Sequence, residues 1–227
     1  MASDIRIISS MATKQVLAEL AAQFSKTSSH QVSIESVGGV DAAKRVQAGE
    51  AFDAVVLASG AIDQLIAAGR IVAGSRVDLV KSGVAIAVRS GAPRSDIATE
   101  DAVKRAVSAA RSVGYSTGPS GVHLAKVFER WGIDLKDRLV QAPPGVPVGS
   151  LVAAGEIELG FQQLSELIHL SGIDILGPLP PAIQIITTFS AGMLVTSTQA
   201  DTVRALLAFM ASAAAEAVKR NNGMEPA

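Results

Sequence analysis

Val46-Gln47-Ala48-Gly49-Glu50, running on into Ala51-Phe52-Asp53-Ala54-Val55-Val56-Leu57-Ala58, decides the fold of this chain. A helical segment stops at a glycine, and a strand of small and β-branched residues starts a few positions later. The same device returns 106 positions on as Val152-Ala153-Ala154-Gly155-Glu156, ahead of a strand over Glu158 to Gln162. At that offset, and with no gap, Ser10 maps onto Ser116 and Gly39-Val40 onto Gly145-Val146. Two ordinary helix-to-strand turns are the plainer alternative, but colinear matches favour an internal repeat.

Outward from these turns, apolar runs of strand length alternate with segments of helical period. Ile5 to Ile8, Gln31 to Ile34 and Phe52 to Ala58 read as strands, separated by helices at about Thr13 to Ser25 and Val40 to Ala48, with a further helix near Ala61 to Ala68. Gly83 to Arg89 is a strand ended by Ser90-Gly91-Ala92-Pro93, after which the order repeats. Helices at Thr99 to Ser108, Ser120 to Trp131 and Val148 to Ala154 then alternate with strands at Ser112 to Tyr115, Leu139-Val140 and Glu158 to Gln162. Such alternation predicts parallel sheets with crossover helices. The tail reads as a strand over Thr188 to Val195 and one helix over Asp201 to Arg220. The expected fold is α/β and two-lobed. Residues 1–82 with 190–227 form lobe I and 83–189 lobe II, each a mostly parallel sheet flanked by helices. Thr188 to Val195 is expected beside Val84 to Val88, as a two-stranded hinge behind an interlobe cleft.

With 227 residues, 48% of them hydrophobic, the chain has material for a sizeable core. Its 20 basic residues against 21 acidic ones provide no field to hold nucleic acid or an anionic membrane. Aromatic residues are 4% of the chain, too few for base-stacking platforms, so the expected partner is small and held by backbone and hydroxyl groups. Cysteine is absent and the three histidines are scattered, which gives no expectation of a metal or a cofactor. No apolar run reaches membrane-spanning length, and Met1-Ala2-Ser3-Asp4 leads straight into a strand. We read the chain as a periplasmic monomer whose leader has been removed, with the cytoplasm as the alternative.

Ligands of open parallel sheets bind beyond the carboxyl ends of strands, at the starts of the following helices. Four such turns are small and polar: Ser9-Ser10-Met11, Val37-Gly38-Gly39, Ser59-Gly60 and Ser116-Thr117-Gly118-Pro119-Ser120-Gly121-Val122. Free N–H groups, helix dipoles and hydroxyls there attract an anion. Ser10, Ser116 and Ser120 taken singly read first as helix caps or turn residues; the recurrence of Ser at matching strand ends favours binding for the set. Gln162 adds an amide at the late strand end, and Tyr115 adjoins Ser116. The ligand-binding candidates are therefore Ser9, Ser10, Met11, Gly38, Gly39, Ser59, Tyr115, Ser116, Ser120, Gly121, Val122, Val148 and Gln162. No catalytic base is singled out, with Tyr115, His123 and Glu166 all open. Gly118-Pro119-Ser120-Gly121 lacks the spacing and Lys of a phosphate loop.

These stretches resemble the type II periplasmic solute-binding proteins, and among them the molybdate-binding branch of transporter receptors. The carriers are Ser9-Ser10, Gln47 to Val55, Gly69-Arg70-Ile71, Ala153-Ala154-Gly155-Glu156 and the last helix. The resemblance implies an oxyanion held by Ser10, Gly39, Ser59, Ser120 and Val148, and an ABC importer membrane subunit as partner. Ala12, Gly38-Gly39-Val40 and Gln162-Gln163 depart from that branch. Tyr115-Ser116, Ser120-Gly121-Val122, Pro147-Val148-Gly149, Gly160-Phe161-Gln162-Gln163, Gly177-Pro178-Leu179-Pro180 and Phe189-Ser190-Ala191-Gly192 instead resemble the branch that includes aconitate isomerase. That branch implies a di- or tricarboxylate ligand. The expected function is an extracytoplasmic binding protein closing over a small anion, with a cofactor-independent isomerase of an unsaturated tricarboxylate as the alternative.

Overall fold

Successive residues of a strand face opposite ways, and the first strand of this chain is apolar in both directions. Ile5 and Ile7 enter one apolar cluster and Ile8 another, and all three are fully buried. The same division recurs one strand over, where Ala54 and Val56 join the first cluster and Val55 and Leu57 the second. Such strands must be covered by helices on both faces.

The computed structural model describes residues 4–227; Met1-Ala2-Ser3, with the expectation attached to the start of the chain, lies outside them. In order the elements are β1 (Asp4–Ser10), α1 (Lys14–Thr27), β2 (Gln31–Val37), α2 (Gly39–Gln47), β3 (Ala54–Ala58), α3 (Ser59–Ala67) and β4 (Val77–Arg89). Then follow α4 (Glu100–Ala109), β5 (Val113–Tyr115), α5 (Pro119–Trp131), β6 (Leu139–Gln141), α6 (Val148–Ala154), β7 (Leu159–Gln163), α7 (Leu164–Leu167) and β8 (Ile173–Pro178). The chain closes with β9 (Ile186–Met193), α8 (Ala200–Ala211), α9 (Glu216–Asn221) and β10 (Glu225–Pro226). It divides into two compact units, one holding residues through Ser82 with Thr187–Ala227, the other Gly83–Ile186. Among the described residues no helix is long and apolar enough to cross a membrane.

In the first unit β1 lies between β2 and β3 and is parallel to both, while β9 adds antiparallel to β3 from Ala54↔Met193 to Ala58↔Phe189. One face is covered by α1, α8 and α9 through Leu17, Leu20, Val203, Leu206 and Val218. The other face is covered by α2 and α3 through Ala42, Val46, Ile62 and Leu65. Asp53, just ahead of β3, explains the Asp-containing sequence signal. Its carboxylate accepts from the Arg6 N–H at 2.9 Å and the Ser197 hydroxyl at 2.6 Å, joining β1 to the segment after β9.

The second unit repeats the plan. Here β5 lies parallel to both β6 and β7, and β4 pairs antiparallel with β7 and β8. Val103, Val107, Leu124, Phe128 and Trp131 pack on one face, and Val148, Val152 and Ile157 on the other. The order β2-β1-β3 of the first unit thus matches β6-β5-β7 of the second. The two glycine turns agree bond for bond. Gly49 and Gly155 have φ of 85° and 80°. Gly49 donates to Val46 O at 3.0 Å and Glu50 to Arg45 O at 3.1 Å; Gly155 donates to Val152 O and Glu156 to Leu151 O, both at 3.0 Å. This is the αL termination that closes a helix onto a following strand.

Four expectations differ from the structure. Gly39 does not match Gly145: the first opens α2, whereas the second sits at φ 79° in a turn before α6. Both edges of Ala85–Val88 are taken by β7 and β8, so β9 neighbours β4 only ahead of that stretch, and β4 itself begins at Val77. The tail helix is two helices. At Ser212 the backbone turns extended with ψ 163°, and both its N–H and its hydroxyl return to Phe209 O, at 3.0 and 2.7 Å; such local bonds compete with helix continuation. β8 had no expected counterpart in the sequence.

Because the backbone at Gly49 and Gly155 is left-handed, a Cβ at either costs about 1 kcal/mol or more. Gly49→Ala and Gly155→Ala are each expected to lower stability by that order in urea unfolding, and by similar amounts.

Candidate functional site

In the first unit β1, β2 and β3 all point their carboxyl ends toward the starts of a 3₁₀ turn at Met11, of α2 at Gly39 and of α3 at Ser59. Ser10 is 7% exposed, and its Oγ has no hydrogen-bond partner among the described residues. It caps nothing, since the turn after it has no side-chain cap, and its carbonyl instead accepts from Thr13 Oγ1 at 3.1 Å. Gly39 lies against it: a Cβ there would stand 3.5 Å from Ser10 Cβ. A helix start offers N–H groups that have no partner within the helix, so Gly39, Ser59 and the Ser10 hydroxyl form one donor group per strand end. Ser9 is engaged elsewhere, its Oγ lying 2.8 Å from Ser36 Oγ. Met11 and Gly38 are half-buried at the same edge.

In the second unit Ser116 follows β5, and its Oγ lies 3.5 Å from Ser120 Oγ on the first turn of α5. Ser120 is buried and Tyr115 half-buried. Gly121 is there for space: a Cβ would meet Ser116 O at 1.7 Å, so the helix can start against this loop only without a side chain. Two of the expected ligand residues are corrected by their bonding. The N–H of Val122 donates within the helix to Gly118 O at 3.1 Å, and its side chain is exposed, so it offers no donor. Gln162 is 2% exposed and its amide is occupied at both ends. Its Oε1 accepts from the Gly149 N–H at 3.2 Å and its Nε2 donates to Glu166 Oε1 at 2.9 Å. It therefore sets the start of α6, where Val148 has a buried side chain and only a first-turn N–H to offer.

That bridge ends on a residue the sequence reading left open. Glu166 is the third residue of α7, which opens at Leu164 after Gln163 just as α3 opens at Ser59 after Ala58, so Ser165 stands where the first unit has Gly60 and Glu166 where it has Ala61. Ser165, 5% exposed, is a buried serine of this turn that the sequence reading passed over. Burial pushes the Glu166 carboxyl up to about 7, and the Gln162 amide offsets only part of this. His123, also open as a base, holds Nε2 at 3.2 Å from Ile183 O and so carries its proton there.

The bacterial extracellular solute-binding protein family pattern matches residues 5–225. Over 187 residues the chain is 42% identical to the aconitate isomerase of a Pseudomonas species, covering 80% of this chain and 70% of that protein. Its fold is similar to that of the periplasmic molybdate-binding protein of Azotobacter vinelandii, with a TM-score of 0.80, 20% identity and coverage of 97% and 98% of the two chains. The sulfate-binding protein of Mycobacterium tuberculosis is similar at a TM-score of 0.80 and 16% identity, covering 99% and 87%. The α/β architecture is that of the type II periplasmic binding proteins.

A carboxyl raised from 4.5 to about 7 binds a proton in the folded chain that the unfolded chain has released. Its contribution is full below the lower value and is lost as pH rises through the upper one. Urea unfolding at about pH 5 and about pH 8 is expected to show a loss of stability across that window. The loss should shrink in Glu166→Gln; an unchanged pH dependence would remove the burial argument.

Proposed function

The chain belongs to the family of bacterial extracellular solute-binding proteins, and we propose that it binds a small di- or tricarboxylate through hydroxyls and helix-start N–H groups at its strand ends. The buried, unpartnered Ser10 hydroxyl carries this reading. Leaving such a group without a partner costs about 1–3 kcal/mol, which a ligand oxygen offsets. A carboxylate is favoured over a compact metal oxyanion by the departures at Ala12 and Gly38 and by the relative whose printed name is an aconitate enzyme. As a receptor the protein would work outside the cytoplasm, as a monomer, and hand its ligand to a membrane importer.

A second reading, favoured by the 42% identity, is that the same site isomerises an unsaturated tricarboxylate. Substrate binding is common to both readings, and only turnover separates them.

A thermal-shift panel of citrate, trans-aconitate, molybdate, tungstate and sulfate tests the ligand class. A ligand at about 100 times its Kd adds about 2.7 kcal/mol. The carboxylates are expected to raise Tm, and a response to the inorganic oxyanions alone would overturn the reading. Ser10→Ala is expected to leave the unliganded protein as stable as the parent or up to about 1–3 kcal/mol more stable, because the lost hydroxyl is buried without a partner. It should weaken carboxylate binding by about 1.5–3 kcal/mol, the value of a hydrogen bond to a charged group. Equal ligand-induced Tm gains in parent and variant would count against this site.

A further inference from the structure

Glu166 is held differently from the carboxyls of this chain whose acidity is strengthened. Hydrogen bonds from Arg45 hold Glu35 and Glu50 below the usual carboxylate range, and the Arg111 backbone and side chain do the same for Glu158. Glu100 is lowered by the Trp131 indole and then Arg130, and Asp78 by the Ser190 hydroxyl and then Arg76. Glu166 has no cation. One oxygen rests on the neutral Gln162 amide, itself fixed by the Gly149 N–H. The second oxygen takes no hydrogen bond from the described residues. Its surroundings are equally uncharged: α6, β7 and α7 carry no other ionisable side chain, and His169, just beyond α7, is exposed.

A neutral amide fixes a carboxyl in place without pinning it in the ionised state, which is what a group that takes and returns a proton requires. The place is also apt. Glu166 lies in the first turn of the helix that follows the β7 end, as Ser59-Gly60 lies in the first turn of the helix that follows β3. The other two open candidates are less suited. The His123 ring is turned to Ile183 O through Nε2, and Tyr115 packs partly into the apolar cluster around Phe161.

We propose that Glu166 is the catalytic acid–base of the second unit's half-site, moving a proton between two allylic carbons of an unsaturated tricarboxylate. The proposal rests on the isomerase reading above. The carboxylate of Glu166 removes a proton from the methylene carbon, so that a C–H bond breaks and an O–H bond forms. The electron pair moves into the adjacent C–C bond, and the original double bond opens toward its far carbon. Glu166 returns the same proton to that far carbon, which becomes the new methylene. No oxidant, metal or net proton is needed. Burial that holds the carboxyl near 7 lets both halves of the cycle run at neutral pH.

The test follows trans-aconitate by absorbance with the whole chain, its Glu166→Gln and Glu166→Asp variants, and repeats the reaction in heavy water. The parent is expected to turn over, with kcat/KM rising through a limb near pH 7, and to keep the substrate's own hydrogen on the product methylene with little solvent deuterium. Glu166→Gln should lose about a hundredfold or more in kcat while keeping the trans-aconitate-induced rise in Tm, which shows that it folds and binds. Glu166→Asp, whose carboxyl is one methylene shorter, should retain part of the activity with its pH limb displaced. Turnover in Glu166→Gln within about threefold of the parent, or an unmoved pH limb in Glu166→Asp, would overturn the assignment and leave the isomerase reading intact. No turnover by the parent at high protein concentration would overturn both.

Discussion

Burial of β1 and β3 on both faces is the constraint from which the rest of the first unit follows. Ile5, Ile7 and Ile8 leave no face of β1 for water, so helices must cover both. Parallel neighbours then force every connection to leave from a strand's carboxyl end and return through a helix. The turns at Ser10, Gly39 and Ser59 are gathered at one edge for that reason, and each opens a helical turn whose first N–H groups have no internal partner. An anion-binding edge is thus a by-product of how the core is closed. The second unit meets the same requirement with Val113, Leu159 and Phe161 on one face and, on the other, Gly114 and Gly160 packed under Val148, Val152 and Ile157.

Within that edge, the two units have filled equivalent positions differently. In the first, the strand-end donors stand open: Gly39 adds no side chain beside Ser10, and Gly60 none beside Ser59. In the second, Gln162 reaches from β7 to the start of α6 and holds Glu166 in the first turn of α7, where the first unit has Ala61. One half is therefore built of neutral donors and the other contains a protonatable group. This asymmetry separates a scaffold that only holds an anion from one equipped to alter it.

Much of this was legible in the sequence because the governing patterns are local. The glycine turns at 49 and 155 announce themselves through a helix-ending residue and a β-branched run, and Trp131 reads as core from its helical face. Ser10 and Ser116 were locatable as strand-end residues for the same reason. Features set by distant partners were not legible. The role of Gln162 depends on a glycine N–H 13 residues away in another element, and that of Asp53 on Ser197, 144 residues on. The break at Ser212 is local, yet its surroundings are alanine-rich and hide it from a periodicity argument. β8 carries Asp174 and Gly177 amid its apolar residues, and its pairing with β4 shifts register between Ile86 and Ala87, so no simple alternation marks it.

The chain leaves its first unit at Ser82 and re-enters it at Thr187, inside β4 and β9 respectively. The second unit is thus one uninterrupted stretch, while the first is split around it. During synthesis the second has all its residues before β9 emerges, whereas β3 must wait for a partner encoded more than a hundred residues downstream. Such long-range pairing is slow to form, so the unit that begins the polypeptide is the one that finishes folding last. Until then its apolar strand β3 lacks the neighbour that protects its edge. The growing chain therefore has greatest need of chaperone cover while the second unit is being made.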